Sequence, residues 1–262
     1  MAIQPPPAPY PTRSVPVPLG TDSPPRRLPG LSIVLPCFNE EANIEQAIRQ
    51  AARAARRFSD RHEVIVVDDG SRDDTAPITG RLVASRQDVQ LVRHPENRGY
   101  GAALRSGIRT ARMPWVLLTD ADLQFDLREV ADFLPFASSS DLIVGYRIAR
   151  EDPFGRRLNA AAWNWLMRHL FSLPVHDVDC AFKLVRRDLL QRIELVSDGA
   201  MISTELIVKS LQSGARLTEL GVHHRPRAAG EQSGANARVI VRAFLELFEL
   251  RHALRPAEHS TV

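Results

Sequence analysis

Residues 117–126 read LLTDADLQFD, with three aspartates and a glutamine inside the seven positions from Asp120 to Asp126. Carboxylates this close repel one another unless positive charge lies between them. On an extended chain the side chains of i, i+2 and i+4 project to one side. That would turn Asp120, Asp122 and Gln124 toward a common point, with small Ala121 between the acids. Hard oxygens in an open arrangement suit Mg²⁺ or Mn²⁺, which bind a few protein oxygens and complete their shell from substrate phosphates. The plainer alternative is that one aspartate caps the following helix and the other is solvated. An isolated DxD arises readily by chance, so its context has to decide.

That context begins at residue 31, where short β-branched runs alternate with helical stretches: LSIVLPCFN, EVIVVDDG, VQLVRHP, WVLLTDAD and DLIVGYR. Between the first two, Ile44, Ala47, Ile48 and Ala51 recur at helical spacing. Buried strands separated by helices predict an α/β sheet with parallel crossovers. Ligands of such sheets lie beyond the carboxyl ends of the strands. There the sequence places Asn39 and Glu40 after the first run, Asp68 and Asp69 after the second, and Asp120 and Asp122 after the fourth. Asp69-Gly70-Ser71 reads equally well as a plain turn. Beyond residue 150 come a helix in GRRLNAAAWNWLMRHLF, another around STELIVKSLQSG, a strand in RLTELGVHH, the loop RPRAAGEQSGAN and a final helix. A dinucleotide-binding turn is excluded, because GYGAAL at 99–104 has Leu104 at the third glycine and follows a later strand.

A chain of 262 residues, 44% hydrophobic and 25% charged, suits one large domain with an extension and a real core. The net charge of +3 favours an anionic substrate or a membrane surface and is too small to argue for nucleic acid. Cys37 and Cys180 stand far apart without a CxxC, which fits neither zinc nor a disulfide framework and leads us to expect a cytoplasmic protein. Ten of the 19 prolines fall in the first thirty residues, predicting a disordered tail. No stretch approaches the roughly 20 consecutive apolar residues of a membrane span. Near the end, Ile240, Phe244, Leu247 and Phe248 form an apolar stripe opposite Arg238, Arg242 and Glu249. This predicts an amphipathic helix, packed on its own domain or a second subunit or laid on a bilayer.

Six segments, LSIVLPCFNEEANI, VIVVDDGSRDDT, NRGYGAALRSGI, TDADLQFD, DLIVGYR and DVDCAFKLVRR, occur in this order. Together they resemble the family 2 glycosyltransferases of GT-A fold, within them the dolichyl and polyprenyl phosphate sugar synthases. The resemblance covers residues 31 to about 235 and divides the chain into a Pro-rich tail (1–30), a GT-A domain (31–235) and an amphipathic helix with a tail (236–262).

The resemblance implies that Pro36, Phe38 and Glu40 hold the base and ribose of a nucleotide sugar, with Ala121 lining the same site. Asp68 or Asp69 would contact the nucleoside, Asp68 being the better choice. Asp120, Asp122 and Gln124 would hold Mg²⁺ or Mn²⁺ against the diphosphate, and Arg225 and Arg227 belong to a loop that closes over it. Arg147, Arg156 and Arg157 match positions for the acceptor phosphate, although Ala160 stands where relatives often carry serine. The implied reaction is an inverting transfer of a hexose from GDP-mannose or a UDP-sugar to polyprenyl phosphate, with Asp120, Asp122 and Arg147 central to it. A lipid phosphate is already ionised near neutral pH and needs no general base.

Two other readings remain open: a family 2 transferase acting on a sugar hydroxyl, which would need a base, and a silent sugar-nucleotide-binding partner of a membrane complex. The expected partners are the donor, the lipid acceptor, the inner membrane surface, and a second copy or a membrane protein. Glu205 reads as part of a helix start, Asp126 as a helix cap, and Gly101 and Gly107 as points of close packing. Asp177 and Asp179 shape the acceptor side without an assigned chemical role.

Overall fold

The computed structural model describes residues 27–148, 154–227, 245–247 and 250–251, with side chains of 154–161 outside the description. The strands are β1 (Leu31–Cys37), β2 (His62–Asp68), β3 (Val89–Arg93), β4 (Trp115–Leu118), β5 (Leu142–Ile148), β6 (Lys183–Arg186) and β7 (Leu217–His223). The helices are α1 (Ile44–Phe58), α2 (Thr75–Ser85), α3 (Tyr100–Thr110), α4 (Val130–Phe133), α5 (Phe154–Phe171), α6 (Arg187–Arg192) and α7 (Ile202–Gln212). All seven strands form one sheet in the order β3-β2-β1-β4-β6-β5-β7.

The sheet is mostly parallel, as expected, and the exception is β6, which lies between β4 and β5 and runs antiparallel to both. Its four residues KLVR carry too little periodicity to distinguish a strand from the start of a helix. The reversal matters for the site. It brings the first residue of β6, Lys183, to the edge where β1, β2, β4, β5 and β7 end.

Alternation across the central strands feeds two apolar layers. Ile33, Leu35, Val64, Val66 and Leu117 pack beneath α1, whose Ile44, Ala47, Ile48, Ala51 and Phe58 are buried as the helical spacing predicts. Val34, Ile65, Val67, Val116 and Leu118 pack on the other face with α3, α6 and α7. Leu247 and Leu250 join this second layer. At those residues the terminal helical segment therefore packs on its own domain; Ile240, Phe244 and Phe248 lie outside the described residues, as does the tail before Arg27. No helix among the described residues is long and apolar enough to cross a membrane.

β1 pairs with β2 along its whole length but with β4 only from Leu31 to Val34. Val34 accepts from Thr119 N–H, so by strand alternation the nitrogen of Pro36 also faces the β4 side, past the last pair. A proline there leaves no ladder bond unmade. The sheet thus opens between β1 and β4, the point at which successive connections diverge to opposite sides.

Gly107 shows how tightly α3 lies on the sheet, since a Cβ there would stand 2.3 Å from Val34 Cγ1. Val34 is stiff and fully buried and cannot yield cheaply. Gly107→Ala should cost about 1–3 kcal/mol of stability in urea unfolding. Gly80→Ala in α2, where a Cβ meets nothing within 4 Å, should instead add up to about 1 kcal/mol.

Candidate functional site

The open edge between β1 and β4 is built on two loops knitted together by side chains. Asn39 N–H donates to Ser71 Oγ (2.9 Å), and Glu40 N–H donates to Thr75 Oγ1 (2.8 Å). Asn39 Oδ1 in return accepts from Arg72 N–H (2.9 Å). Asn39 takes up a left-handed conformation, φ 55°, which asparagine tolerates better than most residues. The turn leaves Phe38 among the few exposed large apolar side chains, at 37% accessibility, while Glu40 is drawn inward. Glu40 Oε2 accepts from Asn43 Nδ2 (2.8 Å) and its Oε1 pairs with Arg227.

Asp68 and Asp69 divide as follows. Asp69 is fully used: Oδ1 meets His94 Nδ1 (2.6 Å) and Arg98 N–H (3.0 Å), and Oδ2 accepts from Gly99 N–H (2.8 Å). It fixes the entry to α3, tying β2 to that helix rather than closing the Asp69-Gly70-Ser71 turn. His94 Nε2 continues the chain to Ser106 Oγ (2.9 Å). Asp68 Oδ1 accepts from Ser71 N–H (3.0 Å), but its buried Oδ2 has no hydrogen-bond donor and only Arg93 Nε at 3.4 Å. An orphaned buried carboxylate oxygen is an acceptor awaiting a donor.

The aspartates of the opening motif lie just past β4. Asp120 is half-buried and Asp122 is buried at 8% accessibility. The extended geometry expected for them fails at Leu123, whose φ of 65° turns the chain back so that Asp122 Oδ1 accepts from Gln124 N–H (3.1 Å). Gln124 Nε2 donates to Arg225 O (2.9 Å), and Gln124 O accepts from Arg225 N–H (2.8 Å). Gln124 therefore joins this loop to the one after β7, and the i, i+2, i+4 argument for it as a third ligand does not hold. The Ala121 methyl faces the core under α1.

Burial raises the Asp120 carboxyl above its ordinary range, opposed by a hydrogen bond from Tyr100 and by the charges of Lys183 and Arg147. Asp122 is pushed up to about 7 by burial first and by the charge of Asp120 second. Both shifts are what two carboxylates in a poorly solvated crevice must show without enough positive charge between them. Arg227 supplies some of it, paired with Glu40 and with Nη1 3.9 Å from Asp122 Oδ2.

Among the described residues no three His, Cys, Asp or Glu side chains converge as a metal cluster. Asp120 and Asp122 are the hard carboxylates this loop would offer a metal. This fits a Mg²⁺ or Mn²⁺ that takes the rest of its shell from phosphate or water.

Two members of the site went unread in the sequence. Tyr100, inside a glycine-rich segment, hydrogen-bonds Asp120. Lys183, 2% exposed, donates from Nζ to the carbonyls of Val178 (3.3 Å) and Cys180 and to Ser203 Oγ (3.4 Å). One signal was available: 32 of the 34 basic residues are arginine, so a lysine in a core strand is a choice of shape. A compact ammonium with three donors suits a close set of acceptors where a planar guanidinium does not.

Of the arginines expected near phosphate, Arg147 ends β5 in a bidentate pair with Asp177, Nε–Oδ2 2.6 Å and Nη2–Oδ1 2.8 Å. Arg225 pairs with Asp126 (2.7 Å) and is more than half exposed. The side chains of Arg156 and Arg157 lie outside the described residues. Asp126 does cap a short helical turn, accepting from Arg128 N–H (3.0 Å), and the Arg128 guanidinium holds it at about 2. Glu205 lies inside the first turn of α7, fully buried, where it accepts from Val196 and Ser197 N–H and from Lys209 Nζ (2.6 Å). It anchors the preceding loop as well as beginning a helix.

The raised value at Asp122 sets a sign for stability. The folded state holds a proton that an unfolded carboxyl, with its ordinary value of 3.8, has lost. Stability from this group is full below about 4 and disappears as pH rises through about 7. The metal-free melting temperature should carry a component that falls between about pH 4 and 7 and is absent in Asp122→Asn. Added Mn²⁺ should stabilise more at pH 8 than at pH 6, as thermal melts would show.

Residues 32–194 match the family described as Glycosyl transferase family 2. The dodecaprenyl-phosphate galacturonate synthase of Rhizobium johnstonii is 30% identical over 245 residues, covering 90% of this chain and 72% of that protein. The undecaprenyl-phosphate 4-deoxy-4-formamido-L-arabinose transferase of Pseudomonas fluorescens is 29% identical over 213 residues, 80% of this chain and 62% of that protein. The fold is also that of glucosyl-3-phosphoglycerate synthase from Mycobacterium tuberculosis, solved with Mn²⁺, UDP and phosphoglyceric acid. That likeness has a TM-score of 0.65 at 22% identity, over 85% of this chain and 78% of that one. The mostly parallel sheet is a GT-A sheet, and the chain belongs to glycosyl transferase family 2 as a glycosyltransferase.

Proposed function

We propose that the protein transfers a hexose from a nucleotide sugar to a polyprenyl phosphate, with inversion and with a divalent cation held by Asp120 and Asp122. The observation that carries this reading is the pair of under-neutralised carboxylates at the opening between β1 and β4. The acceptor class is supported by relatives whose names carry dodecaprenyl and undecaprenyl phosphate. The metal is supported by the fold neighbour solved with Mn²⁺ and UDP.

Each group then has a task. Phe38 offers a flat apolar wall for the base, and the orphaned Oδ2 of Asp68 an acceptor for one of its N–H groups or a ribose hydroxyl. Arg227 moves from Glu40 and Asp122 to the diphosphate as the donor enters, since phosphate oxygens bind a guanidinium as carboxylates do. Cleavage builds positive charge on the sugar and negative charge on the departing diphosphate, so fixed cations near the leaving oxygens lower the barrier. When bound, the divalent ion adds Lewis-acid stabilisation of that charge. The acceptor phosphate, steered by Arg147, attacks as an anion from the opposite face of the sugar, and no side chain has to remove a proton. Residues 31–235 form the catalytic unit, working at a membrane surface where the acceptor resides.

Transfer to polyprenyl phosphate, assayed with GDP-mannose, UDP-glucose and UDP-galacturonate, should require Mn²⁺ or Mg²⁺ and yield a β-linked product from an α-linked donor. Asp122→Ala should lower kcat/KM by about 100-fold or more, equivalent to a few kcal/mol of transition-state stabilisation. Undiminished transfer by that variant, or transfer to 3-phosphoglycerate in place of the lipid, would contradict the reading.

A further inference from the structure

The Arg147–Asp177 pair is bidentate and largely buried. Its side chains are only 15% and 9% exposed, and Arg147 N–H also reaches Asp177 Oδ2 at 3.3 Å. The turn that carries the acid is held from two directions. Glu219 on β7 accepts from the N–H groups of His176 (2.7 Å) and Asp177 (3.3 Å), and Asn164 Oδ1 on α5 accepts from Val178 N–H (2.8 Å). β7 is itself paired with β5 along its length, Arg147 opposite Val222. Both partners therefore stand on one rigid frame, unlike a surface ion pair between two mobile side chains.

The geometry of the pair is informative. Asp177 takes the Nε–Nη2 side of the guanidinium. A guanidinium has five N–H groups, and three of them are not used by that carboxylate, including the whole Nη1 group. A carboxylate on the side edge fixes the plane while leaving the end edge for a second oxyanion. Arg147 lies at the carboxyl end of β5, near enough to the crevice for its charge to act on Asp120.

We propose that Asp177 is a positioning residue, which locks the plane of the Arg147 guanidinium so that its far edge receives the acceptor's phosphate. This rests on the polyprenyl phosphate reading above. Asp177 touches neither substrate. Its effect on the acceptor passes through Arg147, and misplacing a phosphate ligand by about 1 Å is enough to lower activity about 100-fold.

Binding of farnesyl phosphate to the full chain, followed by isothermal titration with Mn²⁺ present, tests the proposal without turnover. Asp177→Asn should weaken it about 10-fold or more, Asp177→Glu should recover part of the loss, and Mn²⁺–nucleoside diphosphate binding should be unchanged. In an Arg147→Met background, Asp177→Asn should add nothing further, because both act through one group. In transfer assays the loss should appear in the acceptor KM more than in kcat. If Asp177→Asn does not fold, the double exchange Arg147→Met with Asp177→Leu removes both members of the pair together and should bind farnesyl phosphate as weakly as Arg147→Met. Equal or tighter binding by Asp177→Asn, or an additive loss in the Arg147→Met background, would overturn the proposal alone. A wild-type protein that binds no farnesyl phosphate would overturn the polyprenyl reading and this inference with it.

Discussion

Mutual repulsion of carboxylates where water cannot screen it is the constraint around which this structure is arranged. Glu40, Asp120 and Asp122 come from the ends of two neighbouring strands and meet where the β1–β4 ladder has stopped. Each electrostatic neighbour answers that repulsion. Arg227 reaches back from the far end of the chain to Glu40, Tyr100 donates to Asp120, and Lys183 puts a buried cation at the start of β6. The antiparallel insertion of β6 is what brings that cation to an edge otherwise made of parallel strand ends. The arrangement remains under-neutralised, a deficit that the proposed cation would relieve.

The described acids in and around the site fall into two groups by how their charge is met. Asp69, Asp126, Asp177 and Glu205 are each satisfied by backbone N–H groups, by arginine, lysine or histidine, or by both, and each ties a loop to an element. Asp122 and Asp126 show the contrast within one short loop. The first is pushed up to about 7 by burial and a like charge, the second held at about 2 by an arginine that hydrogen-bonds it. Four residues of sequence separate an acid suited to binding a metal from one that caps a turn. Environment, not residue type, makes the distinction.

Much of this was legible in the sequence because it follows from period and order. Six of the seven strands come from runs that show the strand pattern, α1 follows its 3.6-residue repeat, and the polar residues after the first, second and fourth runs do meet at one edge. What was not legible depends on tertiary partners. β6 is four residues long and acquires its state from β4 and β5 on either side. The left-handed turn at Leu123 has no glycine to announce it, and it removes the extended geometry on which Gln124 as a ligand depended. Asp68 and Asp69 are the same residue type in adjacent positions, and only the positions of His94 and the α3 entry separate the structural acid from the available one. Arg147 stood out in the sequence, but the acid that pairs with it lies thirty residues on, in a turn whose position β7 and α5 decide.

The proposed chemistry depends on Asp120 and Asp122 together holding the cation that receives the donor's diphosphate. Titration of free Mn²⁺ by electron paramagnetic resonance, with UDP or GDP present, measures that directly on the full chain. Binding of about one Mn²⁺ per chain is expected, lost in both Asp120→Asn and Asp122→Asn and kept in Asp126→Asn. Equal Mn²⁺ binding by the wild type and the two site variants would contradict it.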